Sequence, residues 1–409
     1  MSVRPGATVS AARRRTATIA ALVALSALVA ACSPSSSAPE AQSGPSSSAS
    51  PTPDKPDVTI TSNLPGAGTV HVDATVKLTA EQGAFDTVAV TTARGNKPLE
   101  GKLSDDKLTW VAADRLEPGT RYRIKAVAHD THGRSLTENK TFRTDPLSLD
   151  QQTFPSIAPL QGETVGVGMP VIVTFDVAVT DKKAIEKHLH VTNTAGQKGA
   201  WHWISDHEVH WRPESYWKAG NDVTVNADIN SIPAGNGVYG QLSRTTSFHV
   251  GDAMISKVNV QTHEMKVFRN GTLLRTIPIS AGKPGFITRS GVKVIIEKFR
   301  HKRMDAATTG IKKSSPEYYN LANVEYAMRV TYSGEFLHAA PWSVGTQGSQ
   351  NTSHGCVGMS TENAKWLFDL SRRGDVVEVT GSDRHMTLTN GYGDWNESFT
   401  DWRQGSALS

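Results

Sequence analysis

From Asp57 to about Arg143, apolar and polar residues alternate in short runs, as in Val70-His71-Val72 and Thr75-Val76-Lys77-Leu78, with turn-forming residues between them. Alternation of this kind marks half-buried strands, whose successive side chains point to opposite faces. The pattern then repeats. Leu108-Thr109-Trp110 followed by Gly119, Tyr122, Ile124 and Ala126 has a counterpart in Val209-His210-Trp211 followed by Gly220, Val223, Val225 and Ala227. From the tryptophans onward the matched positions keep a constant offset of 101 residues, which predicts two copies of one strand-built unit.

About a hundred residues of short strands per copy suits an immunoglobulin-like β-sandwich, placed at 57–147 and 148–250. Trp110 and Trp211 read as core residues, and Tyr122 as a corner tyrosine at the turn between two sandwich strands. A third, mostly β unit is expected over 251–380. Ser256 to Val260 and Met265 to Phe268 alternate, and Asn270-Gly271 predicts a type I′ turn into Leu273 to Ile279. Thr361 to Leu370 is the one strong helix, with Ala364, Leu367 and Phe368 on one face, Ser360 as N-cap, and Glu362 and Asn363 in the first turn. Gly374 is read as its end, before a strand from Asp375 to Val379. The tail, 381–409, carries Tyr392, Trp395, Phe399 and Trp402, aromatics expected to pack back on the third unit.

The N-terminus adds an address. Arg4, Arg13, Arg14 and Arg15 precede an apolar run from Thr16 to Ala31, a secretory signal pattern. It ends in Val29-Ala30-Ala31-Cys32, which resembles a lipobox and implies cleavage before Cys32 and lipidation there. The expected location is the outer face of the cytoplasmic membrane, lipid-anchored and facing the cell wall. Ser33 to Pro56 is nearly all Ser, Pro, Ala, Gly and Gln, a tether (32–56 with the cysteine) too polar to fold. As a flexible coil it spans on the order of 25–30 Å. The formal net charge of +4 is too small, and basic helices too few, to argue for nucleic acid.

The chain has two cysteines. With Cys32 lipidated, Cys356 has no disulfide partner, and an unpaired thiol in an exported chain invites a reactive role. It lies in Ser353-His354-Gly355-Cys356, a glycine-containing loop just before the helix, and His338 precedes it by 18 residues. A thiol with an ordinary pKa near 8.5 is scarcely ionised at neutral pH, so a nucleophile needs a base, and His338 on an adjacent strand supplies one. Gly355 lets the backbone turn and bare the N–H groups of His354, Gly355 and Cys356 as an oxyanion hole. Metal is disfavoured: His354 and Cys356 are two apart, with no carboxylate cluster beside them. The order His before Cys disfavours a papain-like domain.

Together these residues resemble the catalytic motif of the L,D-transpeptidases: a His, a spacer, then Ser/Thr-His-Gly-Cys. Ala340-Pro341-Trp342-Ser343-Val344-Gly345 and Arg373-Gly374-Asp375-Val376-Val377-Glu378-Val379 also look like the mycobacterial-type members, as does the whole plan of lipobox, two immunoglobulin-like modules, catalytic domain and Trp-rich tail. The resemblance implies a cofactor-free cysteine acyltransferase. Through a thioester it would form 3→3 cross-links between peptidoglycan stem peptides, and it would accept carbapenems. With water as acceptor, the same domain is an L,D-carboxypeptidase; a decayed site would leave a wall-binding lipoprotein. By the same resemblance, Cys356 is nucleophile, His338 base and acid, and the carbonyl of Ala339 orients His338. Arg300 to Asn323 looks like the family's lid, with Met304, Tyr318 and Tyr319 over the acyl site. The lid region's Lys298, Arg300, Lys302, Arg303, Lys312 and Lys313 either attract stem carboxylates or form a solvated hairpin. Trp342 reads as support for the site more than as a substrate contact, and Ser353 as a substrate contact or a loop brace. Two positions depart from the family: Gly358 where Asn is usual, and Ala339 where Ser is frequent.

Overall fold

In the computed structural model, residues 55–409 are described; the signal-like run, Cys32 and most of the tether lie outside them. The first alternating region folds into two facing sheets. One orders Thr59–Ser62, Lys77–Glu81, Thr109–Ala112 and Gly101–Leu103; the other orders Gly83–Thr92, Arg121–Asp130 and Ser135–Arg143. Inward residues of both, among them Val76, Leu78, Phe85, Tyr122 and Ile124, make its core. The second region has two four-stranded sheets and a small three-stranded one (Pro233–Gly235, Val238–Gly240, Gln152–Thr153). Thr164–Val165, Arg244–Val250, Asp222–Ala227 and Leu189–Asn193 form one four-stranded sheet; Gly199–Ser205, Glu208–Pro213, Val171–Phe175 and Pro155–Ala158 form the other.

The sequence repeat has a packing cause. In each sandwich the tryptophan lies flat across a glycine of the neighbouring strand. A Cβ on Gly101 would come within 2.1 Å of the Trp110 ring, and one on Gly199 within 2.4 Å of the Trp211 ring. At the other end of the repeat, Gly119 and Gly220 both adopt positive φ, 58° and 75°, a conformation that favours glycine. Tyr122 is buried, and its hydroxyl accepts a 2.8 Å hydrogen bond from the N–H of Glu117, closing the corner. The two sandwiches meet where Arg115 pairs with Asp228 at 2.6 Å and Ser231 Oγ donates to the Leu116 carbonyl.

The third region stacks a five-stranded sheet on a four-stranded one. The first runs Thr272–Pro278, Glu264–Arg269, Met254–Asn259, Val376–Thr380, Gly291–Val294, and the second Glu297–Asp305, Asn320–Arg329, Phe336–Ala339, Val357–Met359. Asn270 and Gly271 both have positive φ, as a type I′ hairpin turn requires. The core between the sheets includes Met265, Ile277, Met328, Leu337 and Met359, capped by Ala364 and Leu367 of the helix Thr361–Leu370. Ser360 caps that helix by accepting from the Asn363 N–H, but the helix stops at a Ser371 cap rather than at Gly374. Gly374, at φ +93°, serves the joint between domains instead. Its carbonyl accepts from the Gly168 N–H and that of Arg373 from Gly166, both at 2.8 Å, and a Cβ on Gly374 would meet the Gly166 nitrogen at 2.7 Å.

The tail corrects its expectation. It leaves along the third domain, where the Asn396 carboxamide bonds both backbone groups of Val292. It then crosses to the second sandwich. Trp402 is fully buried there, its indole N–H on the Ala200 carbonyl and its ring 4.4 Å from His202. Buried Arg212 of the second sandwich holds the crossing: its guanidinium sits 4.8–5.5 Å from the rings of Trp395, Trp402 and Phe399, a cation–π cage.

Candidate active site

Phe336–Ala339 pairs in parallel with Val357–Met359, setting His338 beside Gly358. Side chains alternate along a strand, so Cys356, two residues before Gly358, projects to the side that His338 occupies. Both line one cavity of about 500 Å³, with Met304, Tyr319, Ser353 and Gly358 also in its wall. Both are buried, at 7% and 5% exposure. His338 Nδ1 lies 2.8 Å from the Ala339 carbonyl. That contact fixes the tautomer with the proton on Nδ1 and leaves Nε2 as the free base. Burial holds the imidazole below its ordinary pKa, opposed by the Ala339 hydrogen bond. Burial also pushes the Cys356 thiol up to about 12, eased by a backbone hydrogen bond from Phe336 and raised again by the Glu335 carboxylate. The resting thiol points at the Gly334 carbonyl, 3.6 Å away. The pair is therefore neutral at rest, a thiol and an imidazole rather than a thiolate and an imidazolium.

The loop before Cys356 is braced by its own side chains. Ser353 Oγ donates to the Cys356 carbonyl at 2.7 Å and accepts from the Gly355 N–H at 3.1 Å. Thr288 Oγ1 donates to the Gly355 carbonyl at 2.9 Å. Gly355 sits at φ +119°, a backbone only glycine adopts without strain. This corrects the expected oxyanion hole. The Gly355 N–H is committed to Ser353, which leaves the N–H groups of His354 and Cys356, neither with an acceptor among the described residues. Ser353 acts as the loop brace.

The segment expected as a lid, Arg300 to Asn323, lies within a hairpin of Glu297–Asp305 with Asn320–Arg329 whose tip is 306–319. Met304 and Tyr319 reach the cavity. Tyr318 does not, because neighbours entering a strand point to opposite sides. The lid's cations disperse. Lys298 caps the main helix through the carbonyls of Phe368 and Ser371, Arg300 lies over Tyr326, and Lys302 over Phe299. Trp342 stands at the rim, 58% exposed, with its ring 5.9 Å from that of His338. Two groups had no signal in the sequence. Glu317, on the lid tip, holds both His354 Nε2 at 2.7 Å and Lys283 Nζ at 2.6 Å. Behind Cys356, buried Glu335 pairs with Arg289 at 2.8 Å and with buried Lys293. A buried carboxylate is tolerable when paired twice in this way.

Comparison with known proteins agrees with the geometry. Residues 254–379 match the model of the L,D-transpeptidase catalytic domain, and residues 67–233 that of a bacterial Ig domain. The chain is 38% identical to L,D-transpeptidase 2 of Mycobacterium tuberculosis (strain CDC 1551 / Oshkosh) over 84% of its own length and 83% of that protein's. It is 32% identical to L,D-transpeptidase 5 of Mycobacterium tuberculosis (strain ATCC 25618 / H37Rv), over 82% and 74%. A solved L,D-transpeptidase structure in complex with imipenem is 39% identical, covers 55% of this chain and 97% of that one, and superposes with a TM-score of 0.49. With two-thirds or more of both full-length relatives matched, and the His, Ser-His-Gly-Cys loop and lid gathered at one cavity, the chain belongs to the L,D-transpeptidase family.

Proposed function

We propose that the chain forms 3→3 cross-links in peptidoglycan through a thioester on Cys356, working on the outer face of the membrane with Cys32 as lipid anchor. The observation that carries the chemistry is one cavity holding a thiol, an imidazole with its Nδ1 fixed and its Nε2 free, and two uncommitted backbone N–H groups. His338 Nε2 takes the thiol proton as Sγ attacks the carbonyl of the third stem residue. The oxyanion lies toward the N–H groups of His354 and Cys356. As the C–N bond breaks, His338 returns that proton to the departing D-Ala amine. The thioester then meets the side-chain amine of a neighbouring stem. His338 removes its proton, the amide forms and the thiol is regenerated, with no cofactor or metal required. Met304 and Tyr319 cover the acyl group and limit water.

The test is mass spectrometry of products from a purified disaccharide-tetrapeptide, with Cys356→Ala as control. Dimers lacking one D-Ala, absent from the control, are expected. Tripeptide monomer alone would move the activity to an L,D-carboxypeptidase. No product, with no imipenem adduct on Cys356, would sink the reading.

A further inference from the structure

Away from the catalytic domain, the outward face of the sheet Gly83–Thr92, Arg121–Asp130, Ser135–Arg143 carries a concentration of positive charge that the fold does not use. Along Arg121–Asp130 the residues alternate exposed and buried, so Arg121, Arg123 and Lys125 all face outward. They are about 6.8 Å apart at each step, two residues of antiparallel strand. Arg143 on the next strand is the direct cross-strand partner of Arg121. Like charges set directly opposite one another destabilise a sheet. Among the described residues, none of Arg94, Arg121, Arg123, Lys125 and Arg143 forms a salt bridge, although the first module as a whole carries nearly balanced charge. At the end of this ladder a cleft of about 740 Å³ is lined by Arg94, Lys97, Arg121 and Arg143, with Glu117 its one carboxylate. A second cavity of about 380 Å³ shares Thr92, Lys97 and Glu117 with it. This one runs between the two sandwiches, where the side-chain oxygen of Asn230 is buried without a partner.

We infer that this face and cleft form a binding site for a linear polyanionic glycan, a chain of sugar or polyol units carrying phosphodiester or carboxylate groups. The evenly stepped cations fit a repeating charge better than a single anion, and arginine's fork suits either oxyanion. The neighbours on the face, Ala89, Thr91, Asn139 and Thr141, offer no aromatic platform for nucleic-acid bases and no apolar wedge for a bilayer. The adjoining polar cavity, with its unpaired Asn230 oxygen, suits hydroxyl-rich units. The site is separate from Cys356 and holds whatever reaction that residue performs. Its use would be to keep the enzyme on the wall polymer beside which it works.

The experiment is titration calorimetry of the full chain with poly(glycerol phosphate) and with polygalacturonate, at about 50 and about 300 mM salt. Phosphatidylglycerol vesicles are run in parallel. Binding of at least one polymer is expected, weakened by salt, and weakened at least tenfold in the triple variant R121Q/R123Q/R143Q, whose melting temperature should be no lower than the parent's because the opposed Arg121–Arg143 charges are removed. Cys356→Ala is expected to bind like the parent, which separates this site from the catalytic reading. The inference is overturned if neither polymer binds at low salt, if the triple variant binds as tightly as the parent, or if only the vesicles bind.

Discussion

The side chains of Cys356 and His338 are both neutral at rest, and that dictates how the rate should follow pH. His338 is a competent base only above its own pKa, which burial holds below the ordinary 6.5. The thiol, held up at about 12, contributes almost no thiolate near neutrality. Acylation by imipenem should therefore rise along an acid limb with its midpoint below about 6.5 and stay level to about pH 9. His338→Gln should slow it by roughly 10²–10⁴-fold and make the residual rate climb with pH. A parent rate that climbs tenfold per unit between pH 7 and 9 would mean a free thiolate is the attacker, and would sink this account. Gly358 is a packing matter. A Cβ there would sit 2.8 Å from the Ala340 Cβ, closer than real side chains approach. Gly358→Ala should cost about 1–3 kcal/mol, and Gly358→Ala with Ala340→Gly should recover much of it, because the two atoms share one space. Equal melting temperatures for the single and double variants would refute the coupling. Residue types at fixed spacing made His338, Ser353 and Cys356 legible in the sequence. The commitment of the Gly355 N–H to Ser353 was not, since it depends on one rotamer. Glu335 was hidden as well: nothing local marks a carboxylate whose partners, Lys293 and Arg289, lie about 40 residues upstream.

At the scale of elements, the lid is held down by one carboxylate. Glu317 reaches from the tip to His354 and Lys283, while Tyr319 and Phe286 flank the His354 ring at 4.9 and 4.5 Å. Solvent reaches these charged hydrogen bonds and weakens them, so they steady the tip without locking it. Glu317→Gln should speed amide hydrogen exchange across 306–319 by about tenfold while leaving the Met254–Asn259 strand unchanged. Equal exchange in the tip would show that the apolar contacts hold it alone. Resemblance to the family's lid places the segment, with Tyr318 and Tyr319 both expected over the acyl site; the inward choice of Tyr319 over Tyr318 was not legible. Strand parity follows from register, and a sequence gives register only where one face is plainly apolar. Lys298, one of a run of lid cations read either as attracting stem carboxylates or as part of a solvated hairpin, does neither: it faces the helix C-terminus, whose unpaired carbonyls and dipole attract a cation.

At the scale of the whole molecule, the tail ties the catalytic domain to the second sandwich. Besides the Arg212 cage, Asp394 of the tail reaches the buried His210 at 2.7 Å, with Glu208 on the other ring nitrogen at 3.0 Å. The sequence repeat set His210 opposite Thr109 and gave no hint of this role, because its partner lies 184 residues downstream. Burial alone would lower the His210 pKa, but Asp394 and then Glu208 outweigh it and raise it to about 9. A folded-state pKa above the unfolded one means the stabilisation is complete below about pH 6.5 and disappears as pH climbs through about 9. Trp402, fully buried, adds a packing contribution independent of pH, and Trp402→Ala should cost about 3–5 kcal/mol. The two can be separated by scanning melting temperature from pH 6 to 10. The parent should lose stability above pH 7, and His210→Gln should start lower with a flatter slope. Trp402→Ala should lie below the parent with its slope intact, provided the tail still docks through Arg212 and Asp394. If His210→Gln kept the parent's alkaline slope, the loss would belong to other groups. The clamp between tail and sandwich would then rest on Trp402 and the cation–π cage rather than on the His210–Asp394 pair.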